Sequence, residues 1–356
     1  MIARIAFALL AAVALVRAWK PWPYSAETES DSARAVALHP RSTVLRTAYA
    51  LTLETSGDAT GAERELLEAA RNDHQYAPAW QLADFYFRDH RPHEFLTWAH
   101  LAAERSYGDL SALFRLAEEL QISDEAIASQ LLVRPAIERN YAAWLLERMT
   151  LDRKSPDKIT TVASLLARRN NPEDRELLLA IVDAYLTGGD ADRAARVWGS
   201  FQHQEKNRPG DALLFHPNFE APPLGRGFDW RPAAIDGVRQ FPASAEDPRT
   251  TGWTIEFSGR QAEICDLLTQ YVVLEPGRLY SLEWVAVVPP ALQSSFFWRL
   301  GDRQVFENKP TPADRRLDQL VLRYRRMPGQ LRFEGRIVLK KILFRPALAL
   351  ASPEDR

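Results

Sequence analysis

The chain has 356 residues, of which 46% are hydrophobic and 26% charged, which is enough apolar material to bury the cores of about two domains. Its formal net charge is −2, with 25 Lys/Arg against 29 Asp/Glu in residues 1–210 and 20 against 18 in residues 211–356, so neither half offers the basic surface that nucleic acid requires. The single cysteine, Cys265, excludes a disulfide framework and a cysteine-based zinc site.

The first 25 residues carry a targeting pattern. Arg4 precedes an apolar run over residues 5–16, and Arg17 follows it, which is the order typical of a signal peptide. The run also fits an uncleaved anchor whose Arg17 extends to the membrane surface, although it is shorter than the roughly 20 residues that span a bilayer. An anchor would place three aromatic side chains at the interface: Trp19, Trp22 and Tyr24.

Both alternatives predict an N-terminal hydrophobic helix and place the rest of the chain outside the cytoplasm. An anchor gives an inner-membrane protein facing the periplasm, and cleavage gives a periplasmic or secreted protein. The third alternative is a plain buried helix.

A repeated turn indicates the architecture of the region that follows. Residues 55–62 (TSGDATGA) and 187–194 (TGGDADRA) match at an offset of 132 residues. In each copy a Gly-Asp pair separates two helical stretches, where glycine permits a left-handed backbone and aspartate caps the next helix. An intermediate unit turns at His90-Arg91-Pro92 without a glycine. Apolar spacing predicts further helices at 109–120, 124–132, 135–149 and 156–168.

Residues 28–205 resemble the tetratricopeptide repeat family, whose units of about 34 residues divide the offset into four. The resemblance implies an α-solenoid of helix pairs with a concave groove that binds a peptide or partner protein. The alternative is a helical spacer that stacks only on itself. A polar stretch at residues 202–211 then predicts a domain boundary.

Residues 211–349 predict a second domain, built of antiparallel strands. Apolar and polar residues alternate in four short runs, at 253–258, 280–287, 320–325 and 331–339. Turn signals such as Pro276-Gly277 separate them, and the pattern favours a β-sandwich. At Lys340-Lys341 the alternation slips by one residue, which predicts a β-bulge.

The order of features in residues 212–346 resembles carbohydrate-binding modules of the jelly-roll, galactose-binding-like type. The resemblance rests on Asn218-Phe219-Glu220, on Gly252-Trp253, and on the Gln, strand, Pro-Gly, Tyr, strand order of residues 270–282. It implies a jelly roll with one sheet face or rim loop open to sugar, often with calcium near Asn218 and Glu220. Where that family commonly carries a calcium-binding Asp in its last strand, this chain has Lys340-Lys341.

Sugar is bound by stacking on an aromatic face, with polar groups placed for the hydroxyls. Strand phase predicts that Trp253, Trp284 and Trp298 belong to the core, and that Phe297 and Arg299 point outward. The candidate ligand-binding residues are Trp230, Glu283, Phe297, Arg299, Arg323 and Arg325. For the charged members the alternative is a solvated sheet face.

The sequence shows no catalytic signature. Cys265 has no histidine in its segment to activate it, no pair of carboxylates stands out for glycoside hydrolysis, and His93 and His100 lack the glutamate of a zinc-protease motif. We therefore expect a non-catalytic extracytoplasmic scaffold that binds a protein partner through its helices and polysaccharide through its sandwich, as suits surface polysaccharide assembly or export. The alternatives are a scaffold whose sandwich no longer binds sugar and an accessory or degenerate glycoside hydrolase.

Overall fold

The computed structural model describes residues 29–132, 134–152, 156–201, 213–245, 251–329 and 331–347. The chain is α plus β, with helices in its N-terminal half and two antiparallel sheets in its C-terminal half. It divides into two compact units, the first ending at Tyr141 and the second beginning at Ala142.

The predicted targeting segment, residues 1–25, lies outside the described residues. Among the residues that are described, no helix combines the length and the apolar character needed to cross a bilayer. The predicted boundary between residues 205 and 211 also lies outside them, so the predicted domain limits stay predictions.

The helices are α1 Glu29–Leu38, α2 Thr43–Thr55, α3 Ala59–Asn72, α4 Tyr76–Arg88, α5 Pro92–Arg105, α6 Ser111–Glu119, α7 Pro135–Asp152, α8 Pro156–Arg169, α9 Arg175–Thr187 and α10 Ala191–Phe201. A short turn, Asp124–Ala126, continues into the π-helical turn Ile127–Leu131. Helices α2 and α3 pack as a pair, as do α4 and α5, and α9 and α10. Three of the four helices predicted between residues 109 and 168 are present with ends shifted by up to three residues, and the fourth, at 124–132, is the short turn with its π-helical continuation.

Four turns in the described helices share one geometry. After α2, the Asp58 N–H donates to Leu53 O at 2.9 Å and the Gly57 N–H to Glu54 O at 3.1 Å, which is the Schellman motif. The same two hydrogen bonds close the turns at Gly189-Asp190, His90-Arg91 and Gln121-Ile122. His90 and Gln121 adopt φ values of 54° and 55°, so they occupy the left-handed position that glycine fills in the other two turns.

The two Gly-Asp turns begin the next helix as the sequence predicts. Asp58 Oδ1 accepts the Gly61 N–H at 2.8 Å, and Asp190 Oδ1 accepts the Arg193 N–H at 3.1 Å. The small side chains that follow, Ala62 and Ala194, are completely buried. This confirms that each turn brings its two helices into close contact.

The strands are β1 Arg231–Pro232, β2 Val238–Pro242, β3 Trp253–Ser258, β4 Ile264–Val273, β5 Leu279–Val287, β6 Phe296–Leu300, β7 Arg303–Val305, β8 Thr311–Pro312, β9 Leu317–Arg325 and β10 Glu334–Pro346. The first sheet has the order β1-β4-β9-β6-β7, and the second has the order β2-β3-β10-β5-β8. The pairing of β10 with β5 shifts register between Leu339 and Lys341, which confirms the predicted bulge. Strand β10 starts later than predicted, at Glu334, and leaves Leu331 exposed.

Inward side chains of both sheets form one hydrophobic cluster. Trp253 and Trp298 belong to it, as strand phase predicts, while Trp284 packs on it and stays half-buried. Two residues of the 270–282 stretch fix the surrounding backbone. Gln270 is buried and exchanges two hydrogen bonds with the backbone of Phe215, and the hydroxyl of Tyr280 accepts the Glu275 N–H at 2.8 Å.

Candidate ligand-binding clefts of the second unit

Four of the six candidate residues lie together on the outer face of the first sheet. In β9 the core side chains Leu320, Leu322 and Tyr324 alternate with outward positions, and β6 alternates in the same way around Trp298. The outward positions of these two strands include four of the candidates: Phe297, Arg299, Arg323 and Arg325. The register places Phe297 beside Arg323 and Arg299 beside Val321.

Partners already engage most of these four side chains. Arg323 forms an ion pair with Asp266 on β4 and lowers the pKa of that carboxyl below its ordinary value. The Arg325 guanidinium lies over the Phe297 ring, 5.0 Å from its centroid, so one face of the predicted platform is covered. Arg299 donates to Gly301 O at 2.7 Å through one of its terminal nitrogens.

The structure separates the other two candidates from this face. Trp230 is completely buried, and its indole N–H donates to His216 O at 3.2 Å, so it has no ring face to offer and we remove it from the candidate site. The sequence placed it in a loop, but the loop folds inward because the buried Asp229 accepts the N–H groups of Leu224 and Trp230 at 2.7 Å each. Glu283 lies on the second sheet, where it pairs with Arg345.

The two residues expected near a calcium ion, Asn218 and Glu220, contact each other. Asn218 Nδ2 donates to Glu220 Oε1 at 2.9 Å, which occupies an oxygen that calcium would need. Calcium requires six to eight oxygen ligands, as a rule with several carboxylates. Among the described residues, no group of three or more His, Cys, Asp or Glu side chains could hold a metal ion.

A cleft of about 600 Å³ lies between the α9–α10 turn and the first sheet, and we call it the sheet cleft. Leu186 and Gly189 line it from the helical side. Leu317 and Val321 supply apolar surface from β9. Its polar side chains are Tyr271, Arg315, Asp318 and Gln319, together with Asp266, Arg299, Asp302 and Arg316, each of which forms an ion pair.

Asp318 has the most unusual environment of the cleft residues. It forms no ion pair with any described residue, and one of its oxygens accepts the neighbouring Gln319 N–H at 2.8 Å. Burial raises the pKa of this carboxyl above its ordinary value. Gly301 approaches it so closely that a Cβ there would lie 2.7 Å from Asp318 Oδ1. The fold therefore holds a half-buried carboxyl beside the cleft, which Arg315 attracts without forming an ion pair with it.

The last helix pair is docked on the β region beside the sheet cleft. Trp198 of α10 is buried, and its ring makes edge contacts with Phe201, Phe215 and Phe228 at centroid distances of 5.5, 5.0 and 6.0 Å. The backbone of Gly227 lies against the same ring, where a Cβ would come within 2.1 Å of Trp198 Cζ3.

A carboxylate completes the docking. Asp183 of α9 accepts the Gly227 N–H at 2.8 Å, the Arg226 Nε–H at 2.9 Å and a bond from Arg231 at 2.5 Å. Further along the same border, Arg316 pairs with Asp192 at 2.7 Å. No sequence pattern points to Asp183 or Trp198, and the available signal was the glycine spacing in Gly225-Arg226-Gly227, which marks a close backbone approach.

Cys265 is half-buried on β4, facing Tyr324 of β9 across the sheet. Burial raises the pKa of its thiol to about 11. A thiol with this pKa is protonated at neutral pH and is a poor nucleophile.

No protein-family model matches the chain, and no curated protein sequence matches it.

Proposed function

We propose that the protein is a non-catalytic binding protein whose sheet cleft captures a neutral glycan. The observation that carries the proposal is the convergence of Tyr271, Arg299, Arg315, Asp318 and Gln319 on one cleft with apolar surface between them. Each of these side chains keeps donors or acceptors that no described residue fills. A sugar presents hydroxyls, which both donate and accept, together with apolar C–H faces, and such a mixed set of groups suits it.

The charges around the cleft favour a neutral ligand over an acidic one. Three carboxylates line the cleft, from Asp266, Asp302 and Asp318, and three guanidinium groups, from Arg299, Arg315 and Arg316, so the formal charges sum to zero. A cleft for an anionic polysaccharide would carry an excess of arginine or lysine.

The same proposal gives a role to the helices, to the two sheets and to the N-terminal segment. The helix pairs form a tetratricopeptide-like array, which the recurrence of one turn geometry inside all three pairs supports, and this array binds a protein partner. The two sheets form a jelly-roll sandwich, which their shared core supports. Residues 1–25 hold the protein at the outer face of the inner membrane or direct its export. The combination suits a role in surface polysaccharide assembly or export.

One observation favours a second candidate function, in which the β region is a structural cap that no longer binds sugar. The Trp198 and Asp183 contacts dock the sheets on the last helix pair, as a cap requires. A cap has no need of the polar groups in the sheet cleft, so glycan binding separates the two functions.

The test is a glycan microarray of neutral and acidic polysaccharides probed with the full chain, followed by titration calorimetry on each ligand found. We expect a neutral glycan to bind, and Gln319→Ala to weaken it about tenfold because one or two net hydrogen bonds of about 0.5–1.5 kcal/mol each are lost. Glu283→Ala is the matched control, since Glu283 lies on the second sheet. If no glycan is retained, or if the two variants lose affinity equally, the proposal is wrong and the structural cap is favoured.

A further inference from the structure

Strand β5 leaves part of one edge of the second sheet unpaired. One side of β5 pairs with β10. On the other side, β8 pairs only with Leu279 and Tyr280, and the Asn308 N–H donates to Leu282 O at 2.9 Å. No described residue pairs with the backbone of residues 283–287 on that side, and we call these five residues the open edge.

Two residues of the open edge direct their backbone N–H and C=O groups away from β10. These groups point to alternate sides along a strand, so Trp284 and Ala286 share the direction of Leu282, whose C=O accepts the Asn308 N–H. Within the described part of the chain, nothing bonds the outward N–H and C=O groups of Trp284 and Ala286. The open edge therefore offers two donors and two acceptors to a strand that lies beside β5.

The open edge lacks the features by which proteins protect an exposed strand edge, which are short length, proline, charge and bulges. The end strands of the two sheets have such features: β1 and β8 are two residues long and contain a proline, β7 has three residues, and β2 ends at Pro242. The open edge has the sequence EWVAV, and its single charged residue, Glu283, pairs with Arg345 of β10. Val285 and Val287 are 57% and 61% exposed, so this edge is suited to pairing with another strand.

A cleft of about 350 Å³ lies beside the open edge, between β5 and strands β6 and β7 of the first sheet. Trp284, Ala286 and the 53% exposed Phe306 line it, and it shares no lining residue with the sheet cleft. Side chains on one face of an added strand would enter this cleft, and those on the other face would cover Val285 and Val287. Both faces of the added strand would therefore meet apolar surface.

The charges at the open edge differ between these two faces. Glu307 is the only charged residue among the described residues that line the cleft, and it forms no ion pair with any of them. Lys341 lies next to Val285 on the outer face of the second sheet, where it is exposed and forms no ion pair with a described residue. A strand with a basic residue toward the cleft and an acidic residue toward the outer face would complement both charges.

A peptide strand fits the open edge better than a second copy of the chain does. Five residues of strand span about 17 Å. An edge contact of that length buries much less than the roughly 1,200–2,000 Å² typical of stable association between folded proteins. The β5 strand of a second copy also contains no basic residue that could meet Glu307.

We propose that the open edge binds an extended peptide segment of a partner protein, which adds a strand to the second sheet. The backbone of the segment exchanges hydrogen bonds with Trp284 and Ala286. Its cleft-facing side chains are apolar except for a basic residue that pairs with Glu307, and its outward side chains cover Val285 and Val287. The proposal does not depend on glycan binding in the sheet cleft.

The probe is a phage-displayed library of random seven-residue peptides, selected on the full chain. We expect the selected peptides to carry apolar residues at alternate positions together with a lysine or an arginine. Ala286→Pro should weaken the best peptide about tenfold or more, because proline removes an outward N–H and obstructs a strand on that side. Leu279→Ala is the matched control, since Leu279 is 47% exposed at the end of β5 that β8 already covers.

Glu307→Lys tests the charge assignment without altering β5. It should weaken the selected peptide about three- to tenfold, and it should strengthen the same peptide with glutamate in place of the basic residue. Glu334→Lys makes the same change of charge at an exposed position beside Ser258 of β3 and should leave binding unchanged.

Main-chain pairing is tested by N-methylation of the selected peptide and by hydrogen exchange of the full chain. N-methyl groups at alternate peptide residues should abolish binding in one phase and preserve it in the other, since only one phase directs its N–H groups toward β5. Bound peptide should slow exchange of the Trp284 and Ala286 amides. The proposal is wrong if no peptide is selected or if both N-methylated phases bind equally. It is also wrong if a higher concentration of the chain alone protects these amides, which would indicate pairing with a second copy.

Discussion

Two glycines in one loop allow the docking of the helices on the sheets to be measured by a single added methyl group. Gly225 and Gly227 have φ values of 69° and 59°, so an alanine at either position adopts a left-handed backbone. A Cβ at Gly225 would meet nothing within 4 Å, whereas a Cβ at Gly227 would lie 2.1 Å from Trp198 Cζ3. The pair therefore separates the backbone effect from the effect on the Trp198 contact.

The expected magnitudes follow from these two environments. A left-handed non-glycine residue costs about 1–2 kcal/mol, which is the whole effect expected for Gly225→Ala. At Gly227 the Trp198 ring must also move by more than an ångström out of its pocket among three phenylalanines, and overpacking of this kind costs about 1–3 kcal/mol more. We expect Gly227→Ala to lose about 2–5 kcal/mol of unfolding free energy in total.

The assay is urea unfolding of both variants, with far-ultraviolet circular dichroism and tryptophan fluorescence recorded on the same samples. Gly227→Ala should unfold at lower urea than Gly225→Ala, and limited proteolysis should cut it faster at the border between α10 and the β region. Equal free energies for the two variants would refute the docking role of Trp198.

Three further predictions concern single side chains. Asp183→Ala should cost about 1.5–3 kcal/mol in urea unfolding because charge-assisted bonds are lost, whereas Glu176→Ala, at an exposed ion pair, should change stability by less than about 0.5 kcal/mol. Asp318→Asn should raise the free energy of unfolding at neutral pH. Because the pKa of Asp318 is raised, the folded state binds the proton more tightly than the unfolded chain does. Wild-type stability therefore falls as pH rises from 3.8 through the folded pKa. The advantage of Asp318→Asn should shrink toward about pH 4, and an advantage that does not change with pH would contradict this. Cys265 should react with iodoacetamide about tenfold or more slowly in the folded than in the unfolded chain near pH 8, since its thiol pKa is about 11, and equal rates would contradict the burial.

Local patterns in the sequence predict the features that depend on neighbouring residues. The one-residue slip at Lys340-Lys341 predicts the bulge. Apolar and polar residues alternate on both sides of the slip, so Ile342 and Phe344 reach the core only if the strand holds one extra residue there. The two Gly-Asp turns are predicted for the same reason, since cap and turn chemistry act within six residues. His90 and Gln121 show the limit of such patterns, because they adopt the turn geometry without its typical residue.

Long-range pairs explain what the sequence does not predict. Asp183 and Gly227 are 44 residues apart, and no periodicity connects a helix carboxylate with a loop N–H. Trp230 is adjacent to polar residues and has the composition of an exposed loop, yet the buried Asp229 draws it into the core. The sheet cleft likewise joins the α9–α10 turn to strands of which the first, β4, begins at Ile264, 75 residues after Gly189, so its polar groups have no common motif.

Hydrogen exchange on the full chain, with and without the neutral glycan selected by the microarray, locates the proposed binding site. We expect the added glycan to protect three segments that meet at the sheet cleft: residues 186–189, 299–302 and 315–319. Protection on the second sheet around Glu283, or binding without protection of these three segments, would contradict glycan capture in the sheet cleft.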